Sequence, residues 1–261
     1  MDKQEITFPN GHKAQLVAPP LGTPAADILK SLDIPAPKAL ILLIGGASSL
    51  DEALVPRLLQ LFSRNIARIA ADAGAIIMDG GTQAGVMAIM GQAIAARGYL
   101  SPLLGVAPAG KVTYPGGSPG NHMGNGVPLD PNHSYFVLVE SREWGGETDT
   151  FYALAESLAL DMKVVTILVN GGPIATTELL ASVRRGWPII VMAGTGRLAD
   201  EIAGLSAHQP GRILDPAFAE VIADGDMQFF SLQDPPEDLE KLLLKGLQAD
   251  SVRSGGRYLN L

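Results

Sequence analysis

The feature that most constrains the fold is an alternation of short apolar runs, almost all ending in glycine, with longer amphipathic stretches. Short apolar runs are typical of buried strands, and residues at helical spacing follow them. This alternation predicts βαβ units, and therefore a doubly wound α/β fold whose mostly parallel sheet carries helices on both faces. Six strands are predicted: Ala39–Ile44, Ala75–Met78, Leu103–Ala107, Tyr135–Val139, Val164–Val169 and Ile189–Met192.

The 261 residues are interpreted as one α/β unit with additions at both ends. Residues 1–38, which are rich in proline, are predicted to form an arm packed on the domain. Residues 39–208 are predicted to form the core, and a long helix is predicted within it over residues 51–73. Residues 209–261 are predicted to be an α/β appendage of the same domain.

The composition argues against several classes of protein. The chain has no cysteine, so disulfides, thiolate metal sites and a cysteine nucleophile are excluded. A net charge of −8 gives no broad cationic surface for nucleic acid. No apolar run approaches the roughly 20 residues that a membrane span needs, and the start MDKQEITFPNGH has no apolar signal core. A cytoplasmic protein without nucleic-acid or membrane partners is expected.

Glycine-containing loops follow most of the predicted strands, and the carboxyl ends of parallel strands lie along one edge of a sheet. Backbone N–H groups in such turns can bind an anion at a helix start, although glycines also serve simply to make tight turns. Arg197 is the one cation directly within a strand-end turn, and the set together predicts a phosphate-bearing ligand. The loops are Gly45, Gly46, Ala47 and Ser48; Gly80, Gly81, Thr82, Gln83, Ala84 and Gly85; Ala107, Pro108, Ala109 and Gly110; Trp144, Gly145, Gly146, Glu147 and Thr148; and Gly194, Thr195, Gly196 and Arg197.

The turn after the second predicted strand lacks the common nucleotide-binding motifs. DGGTQAG lacks the GK[ST] of a P-loop and does not match GxGxxG. No nucleophile elbow between a strand and a helix is predicted, since the one GxSxG match, GGSPG at residues 116–120, lies within the long loop. ATP hydrolysis, ordinary dinucleotide dehydrogenation and α/β-hydrolase chemistry are therefore disfavoured. Gly81 is expected to present bare backbone to the ligand.

The histidines and one cluster of acidic residues bear on the presence of a metal site or a catalytic carboxylate. His133 precedes the fourth predicted strand and is expected to be a structural hydrogen-bonding residue. The other histidines are scattered, so no metal site is expected; they are His12, His122 and His208. Four acidic residues crowd the loop after the fourth strand, and either form a solvated or ribose-binding rim or supply a carboxylate for glycosidic cleavage. They are Glu140, Glu143, Glu147 and Asp149.

Six motifs in order resemble the SLOG domain at the cytoplasmic N-terminus of melastatin-type TRP channels. They are LIGGASS, AGAIIMDGGTQAGVM, GVAP, LDPNHSYFVLV, VNGGPIATTELLASVRRGWPIIV and AGTGRLADEIA, and they extend from about Ala39 to Ala203. The resemblance implies a Rossmann-like fold of the group that includes the LOG phosphoribohydrolases and the DNA-processing protein DprA. It also implies a free-standing, prokaryotic member.

The resemblance further implies a nucleotide-derived ligand, since the ligand-responsive channel domains bind ADP-ribose or its cyclic form. Their ligand contacts correspond to Gly46, Ala47, Thr82, Gln83, Gly85, Val86 and Met87, with the GTGR turn beside the same cleft. WGGETDTFY departs from both family patterns. Phe151 or Tyr152 stands where the channel domains carry an arginine, and the PGGxGTxxE motif of the LOG hydrolases is broken.

Three functions are compatible with these patterns. The first is a homo-oligomeric sensor of an ADP-ribose-like nucleotide that requires no cofactor. The second is an N-glycosidase or phosphoribohydrolase acting on a nucleotide, with Glu147 as the catalytic carboxylate. The third is a structural, oligomerising domain with a vestigial cleft. The long loop over residues 108–131 is either a lid or a mobile connection.

Overall fold

A computed structural model describes residues 2–46, 50–117, 126–160, 162–207 and 215–248. The strands are β1 (Lys3–Thr7), β2 (Lys13–Val17), β3 (Ala39–Gly45), β4 (Ala75–Asp79), β5 (Leu103–Pro108), β6 (Val112–Thr113), β7 (Val127–Pro128), β8 (Tyr135–Val139), β9 (Lys163–Val169), β10 (Ile189–Ala193) and β11 (Met227–Ser231). Nine of them form one sheet in the order β1-β2-β8-β5-β4-β3-β9-β10-β11, and β6 pairs with β7. Within the described sheet, β1 runs antiparallel to β2 and the other pairs are parallel.

Helices cover both faces of this sheet. They are α1 (Ala25–Leu32), α2 (Val55–Leu61), α3 (Arg68–Ala73), α4 (Gly85–Ala95), α5 (Thr148–Ala159), α6 (Pro173–Arg184), α7 (Arg197–Ala207), α8 (Pro216–Asp224) and α9 (Pro236–Gln248). None of the described helices has both the length and the apolar character needed to cross a bilayer.

Strand β3 shows why its sequence is a continuous apolar run. Ile41 and Leu43 pack into a core with α2, α3, α4 and α9. Leu40 and Leu42 point the other way and pack into a core with α1 and α5. Because successive side chains of a strand alternate between faces, a strand buried on both sides needs apolar residues at every position. The predicted doubly wound α/β fold is therefore confirmed.

The six predicted strands are confirmed, and three further strands extend the sheet at its edges. The β1–β2 hairpin lies within the predicted arm and joins β8 through β2. At the other edge β11 pairs with β10. The boundaries of arm, core and appendage stay a prediction. The helix predicted over residues 51–73 is built from a 3-10 turn at Glu52–Leu54, α2, a π-helical segment at Phe62–Ala67, and α3.

The strand order reverses direction beside β3. From β3 the chain adds β4, β5 and β8 on one side, and then returns through α5 to place β9 on the other side. In an open α/β sheet, ligands bind outside the carboxyl ends of the strands at such a switch point. The fold therefore places the candidate site at the carboxyl edge near β3 and β9.

The connection between β5 and β8 is hydrogen-bonded to the loop after β4. Gln83 N–H donates to the carbonyl of Pro128 at 2.7 Å, and Asp130 N–H donates to the carbonyl of Gly81 at 2.9 Å. Residues 118–125 of the segment 108–131 lie outside the described residues, so its role as a lid stays a prediction.

Candidate functional site

The carboxyl edge brings several predicted glycine loops to the switch point. We call the space bordered by the turns after β3, β4, β9 and β10 the edge cleft, and define it by Gly46, Gly80, Gly172 and Arg197. Ala47 and Ser48, which the sequence also predicts as ligand contacts, lie outside the described residues.

The turn after β4 is held by a buried aspartate. Gly81 N–H donates to Asp79 Oδ1 at 2.7 Å, and Asp79 is fully buried. The φ angle of Gly81 is +66°, and a Cβ there would lie 2.8 Å from Gly105 Cα and 3.1 Å from the Phe136 ring. Packing on β5 therefore requires Gly81, whatever binds in the edge cleft. Substitution of Gly81 is for that reason a poor probe of ligand binding.

Gly80 is the glycine of this turn that adjoins open space. A Cβ at Gly80 would meet only Met87 Cε, at 3.9 Å. Met87 belongs to the first turn of α4, which begins at Gly85. The bare Cα of Gly80 thus lies beside a helix start, where N–H groups and the helix dipole favour an anion.

The end of β3 positions α4. A Cβ at Gly45 would lie 2.8 Å from the side chain of Val86, and the Gly46 carbonyl accepts a hydrogen bond from Val86 N–H at 3.3 Å. Val86 is fully buried. Gly45 therefore allows the close approach of strand and helix, and the side chain of Val86 serves this packing.

Thr82 and Gln83 extend away from the start of α4 toward the connection between β5 and β8. Thr82 pairs with Leu129 in an isolated bridge, and its buried Oγ1 has no hydrogen-bond partner. Gln83 lines a cavity of about 470 Å³ together with Phe8 and Tyr114. The two residues therefore link the edge cleft to a second part of the molecule.

A buried ion triad lies beneath the turn after β4. His133 Nε2 is 2.8 Å from Asp79 Oδ1, and His133 Nδ1 is 2.9 Å from Asp130 Oδ2. Burial lowers the pKa of His133, but the two carboxylates outweigh burial and raise it to about 10. His133 is therefore an imidazolium that joins β4 to the segment before β8. This confirms the structural role that the sequence predicts for it.

The loop after β8 spans part of the carboxyl edge. A Cβ at Gly145 would lie 3.6 Å from Ile174 in the first turn of α6, and α6 follows β9 on the other side of β3. Trp144 is 41% exposed on this loop. Gly146 fits closely, because a Cβ there would lie 2.1 Å from Ser141 Oγ. Ala107 and Pro108 are buried at the end of β5.

Glu147 differs from the other acidic residues near this loop. Its residue is 8% exposed, whereas Glu140, Glu143 and Asp149 are exposed and form a solvated rim. Glu147 Oε2 accepts a hydrogen bond from Gly145 N–H at 2.8 Å, which fixes the loop at the start of α5. Burial raises the pKa of Glu147 against the lowering effect of backbone N–H groups. Thr148, the next residue, is buried and its Oγ1 has no hydrogen-bond partner.

A second carboxyl group that the sequence does not indicate lies near Glu147. Burial raises the pKa of Glu178 to about 7, and the charge of Glu147 adds to the rise. Tyr152 of α5 donates a hydrogen bond to the carbonyl of Glu178 on α6, which holds the two helices together. The charge of Glu147 at the start of α5 therefore acts on the carboxyl group of Glu178 in α6.

The turn after β10 is held by an exposed aspartate. Gly194 N–H donates to Asp200 Oδ1 at 2.5 Å, and Gly196 N–H donates to Asp200 Oδ2 at 3.1 Å. These two predicted anion-binding N–H groups are thus already bound to a carboxylate of the protein. Thr195 is buried, and its hydroxyl donates to the carbonyl of Met192.

Arg197 approaches the turn after β9. A Cβ at Gly172 would lie 3.5 Å from Arg197 Nη1, so the guanidinium stands over Gly172 beside the switch point. The φ angle of Arg197 is +51°, a left-handed conformation that costs an arginine energy. Arg197 therefore supplies positive charge at the carboxyl ends of β3 and β9, beside the switch point.

Sequence reasoning missed Asn170 and Gly172 as residues of the edge cleft. Asn170 is buried, its Nδ2 donates to the carbonyl of Thr195 at 2.8 Å, and its Oδ1 has no hydrogen-bond partner. The run NGGP directly after a strand was the available signal. Within the described ranges no group of three or more His, Cys, Asp and Glu side chains is arranged to hold a metal ion.

Comparison with known proteins identifies relatives of the chain. A family model described as "SLOG in TRPM, prokaryote" matches residues 38–241. Transient receptor potential cation channel subfamily M member 2 of Rattus norvegicus is 29% identical over 209 residues, covering 67% of this chain and 14% of the channel. The Mus musculus protein of the same name is 30% identical over 205 residues, covering 66% and 13%. Subfamily M member-like 2 of Nematostella vectensis is 27% identical over 233 residues, covering 75% and 15%.

The match thus spans between 13% and 15% of the length of these relatives. The predicted free-standing and prokaryotic character of the protein stays a prediction. The ordered motifs, the doubly wound fold and the family match over residues 38–241 agree, and the chain belongs to the SLOG domain family of melastatin-type TRP channels.

Proposed function

We propose that the edge cleft binds a nucleotide-derived ligand that carries phosphate, of the ADP-ribose type, and that the protein acts in the cytoplasm as a sensor of it. One observation carries the proposal. The open side of Gly80 at the start of α4 and the guanidinium of Arg197 over Gly172 lie on either side of the topological switch point. A diphosphate placed there would meet a helix N-terminus and a guanidinium.

The electrostatics of the whole chain make this local arrangement necessary. With a net charge of −8 the protein repels an anionic ligand at long range. Binding must therefore come from short-range donors that point at the phosphates. A guanidinium can bind two phosphate oxygens at once, which suits Arg197 for this role.

A thermal-shift screen tests the proposal. The panel contains ADP-ribose, cyclic ADP-ribose, NAD, AMP and cyclic nucleotides. A ligand at about 100 times its Kd stabilises the folded state by roughly 2.7 kcal/mol, which a melting curve resolves. Gly80→Val should abolish the shift, because its side chain occupies the space beside α4. Arg197→Gln should weaken binding at least about tenfold, as expected when a charged hydrogen bond worth 1.5 kcal/mol or more is lost.

Gly204→Ala is the matched control. A Cβ at Gly204 meets no atom within 4 Å and lies on α7, away from the edge cleft. Its ligand response should equal that of the unsubstituted protein. If Gly80→Val binds as well as the control, the ligand does not use this cleft. If no compound shifts the melting temperature while the protein forms a stable oligomer, a structural, oligomerising role replaces the proposal.

Hydrolysis of a nucleotide at its N-glycosidic bond is a second candidate function, favoured by the buried Glu147 at the start of α5 and by the raised pKa of Glu178 near it. A protonated carboxyl group could donate a proton to the departing base while the other, ionised, takes a proton from the attacking water. Chromatography of the same mixtures tests this. A free base released by the protein, but not by Glu147→Gln or Glu178→Gln, would make it an enzyme, and intact ligand would leave it a sensor.

A further inference from the structure

A cavity at the carboxyl edge of the sheet, on the side of β2 and β8, has the size of a site for one heterocyclic base. It has a volume of about 340 Å³ and lies between the β2–α1 connection and the first turns of α5. We call it the side cavity. We propose that it takes the base of the nucleotide ligand and that Asp149 selects a base with an exocyclic amine. This inference rests on the proposed function, because it assigns one part of the same ligand.

The walls of the side cavity are mostly apolar. Pro19, Leu21, Ile28, Val139 and Ala153 line it. Small-molecule sites are typically of at least about 300 Å³ and combine apolar walls with a few polar groups that fix orientation. A cavity near that lower limit suits one planar ring system, so the rest of a dinucleotide-sized ligand must lie outside it.

Two polar residues at the start of α5 border this apolar setting. Asp149 and Thr150 both line the side cavity, and Asp149 lies at its exposed rim. A carboxylate only accepts hydrogen bonds, so Asp149 favours an N–H donor over an acceptor in a base that fills the cavity. An exocyclic amine such as that of adenine provides one, whereas the carbonyl at the same position of hypoxanthine would meet the carboxylate oxygen without a donor.

The loop after β8 links the side cavity with the start of α6, next to the edge cleft. Val139 is the last residue of β8, and Asp149 lies in the first turn of α5. The loop between them is the one that spans the carboxyl edge and reaches Ile174. Since β8 and β4 are two strand spacings apart, about 10 Å separates them, a distance that a ribose and its phosphates can cover.

An exposed leucine at the side cavity supports this assignment. Leu21 is 78% exposed and lines the cavity. Gly22 follows it with a φ of +80° and no neighbour within 4 Å of an added Cβ. A base in the cavity would remove part of the Leu21 side chain from water, and burial of apolar surface is favourable.

Calorimetric titration of two variants of α5 tests the proposal. Ala153→Trp fills the side cavity from the helix surface, and Ser157→Trp adds the same side chain one turn further along α5, where no residue lines the cavity. We expect Ala153→Trp to lower the affinity for ADP-ribose at least tenfold, without lowering the affinity for the base-free probe ribose 5-phosphate. Ser157→Trp should bind both as the unsubstituted protein does.

Comparison of AMP with IMP tests the selection by Asp149. The protein should prefer AMP at least fivefold, and Asp149→Asn should remove most of that preference, because an amide can also donate. Unchanged binding of ADP-ribose by Ala153→Trp would overturn the assignment of the base to the side cavity. It would leave the proposed binding of phosphate in the edge cleft unaffected. Equal affinity for AMP and IMP would overturn the role of Asp149. If none of the probes binds the unsubstituted protein, the proposed function itself fails, and this inference fails with it.

Discussion

The turns after β4 and β10 both place an aspartate carboxylate on glycine N–H groups, but they do so in different surroundings. Asp79 is fully buried and also binds His133, which binds Asp130 in turn. Asp200 is exposed and comes from the first turn of the following helix. The turn after β4 is therefore fixed by a buried side chain of the core. The turn after β10 is fixed by an exposed side chain of the helix that follows it.

This difference shows that a glycine-rich turn is not by itself an anion site. In both turns the protein's own carboxylate already binds N–H groups that the sequence predicts for a ligand. The groups that the proposed function uses are therefore others, namely Gly80 with the start of α4 and the Arg197 guanidinium over Gly172. In that proposal a backbone surface and a cation share the binding of one ligand.

The largest effect is expected from His133→Gln. This change leaves two buried carboxylates without their cation, and breaking a buried ion pair in this way costs about 3–5 kcal/mol of unfolding free energy. Urea unfolding measures the loss. Lys13→Gln is the control, because the ion pair of Lys13 with Glu5 is exposed and its loss should cost no more than about 1 kcal/mol. Equal stability of the two variants would mean that the triad does not hold the turn after β4.

Gly81→Ala should come next. Its Cβ would lie 2.8 Å from Gly105 Cα at a positive φ angle, so strain and overpacking together should cost about 3 kcal/mol. Gly80→Ala, one residue away, should change stability by no more than about 0.5 kcal/mol, because its Cβ enters open space. Thermal and urea unfolding of both variants without ligand measure the difference. If Gly80→Ala lost more stability than Gly81→Ala, the open side of the turn would lie at Gly81 instead.

The pH dependence of stability should be intermediate in size. The pKa of His133 is raised to about 10 in the folded protein, whereas the unfolded residue titrates near about 6.5. Its contribution is therefore fully present below about pH 6.5 and is lost as the pH rises through about 10. We expect the unfolding free energy to fall by up to about 1.4 kcal/mol per pH unit between about pH 8 and 9.5.

That pH range avoids the titration of Glu178, whose raised pKa lies at about 7. The lysines and tyrosines that titrate at high pH are present both in the unsubstituted protein and in His133→Gln. His133→Gln should therefore show a clearly smaller slope than the unsubstituted protein. If the two slopes coincide, His133 is not charged in the folded state.

The sequence predicts the central strands well because each is buried on both faces. The run ALILLI of β3 needs no partner to be recognised, since its apolar residues are consecutive. Strand β1 is different. In KQEIT only Ile6 is buried, because β1 is an edge strand that has one neighbour, and nothing in its composition separates it from a loop.

The candidate site was predictable only where its residues are local in the chain. Gly80 and Gly85 share one loop with the strand and helix that they join. The contact of His133 with Asp79 joins positions 54 apart, and the pairing of Glu147 with Glu178 depends on how α5 packs on α6. No spacing rule connects such residues, because the sheet order brings them together.

A smaller loss of stability than for His133→Gln or Gly81→Ala, and the sharpest comparison of the two turns, should come from Asp200→Asn. The amide keeps one acceptor but loses the charge, so the unfolding free energy should fall by about 1 kcal/mol. Asp215→Asn is the matched control, since Asp215 is an exposed residue that binds two N–H groups at the start of α8, far along the chain from the edge cleft.

Titration with ADP-ribose then distinguishes two modes of binding at the turn after β10. If Arg197 alone contacts the ligand, Asp200→Asn should bind within about fivefold of the control, because a change in binding free energy below about 1 kcal/mol corresponds to less than about fivefold in Kd. If the N–H groups of Gly194 and Gly196 bind phosphate, Asp200 competes with the ligand for them. Weakening that competitor should then tighten binding of ADP-ribose at least about tenfold. In that case the backbone of the turn after β10 would bind phosphate, as we propose for the turn after β4.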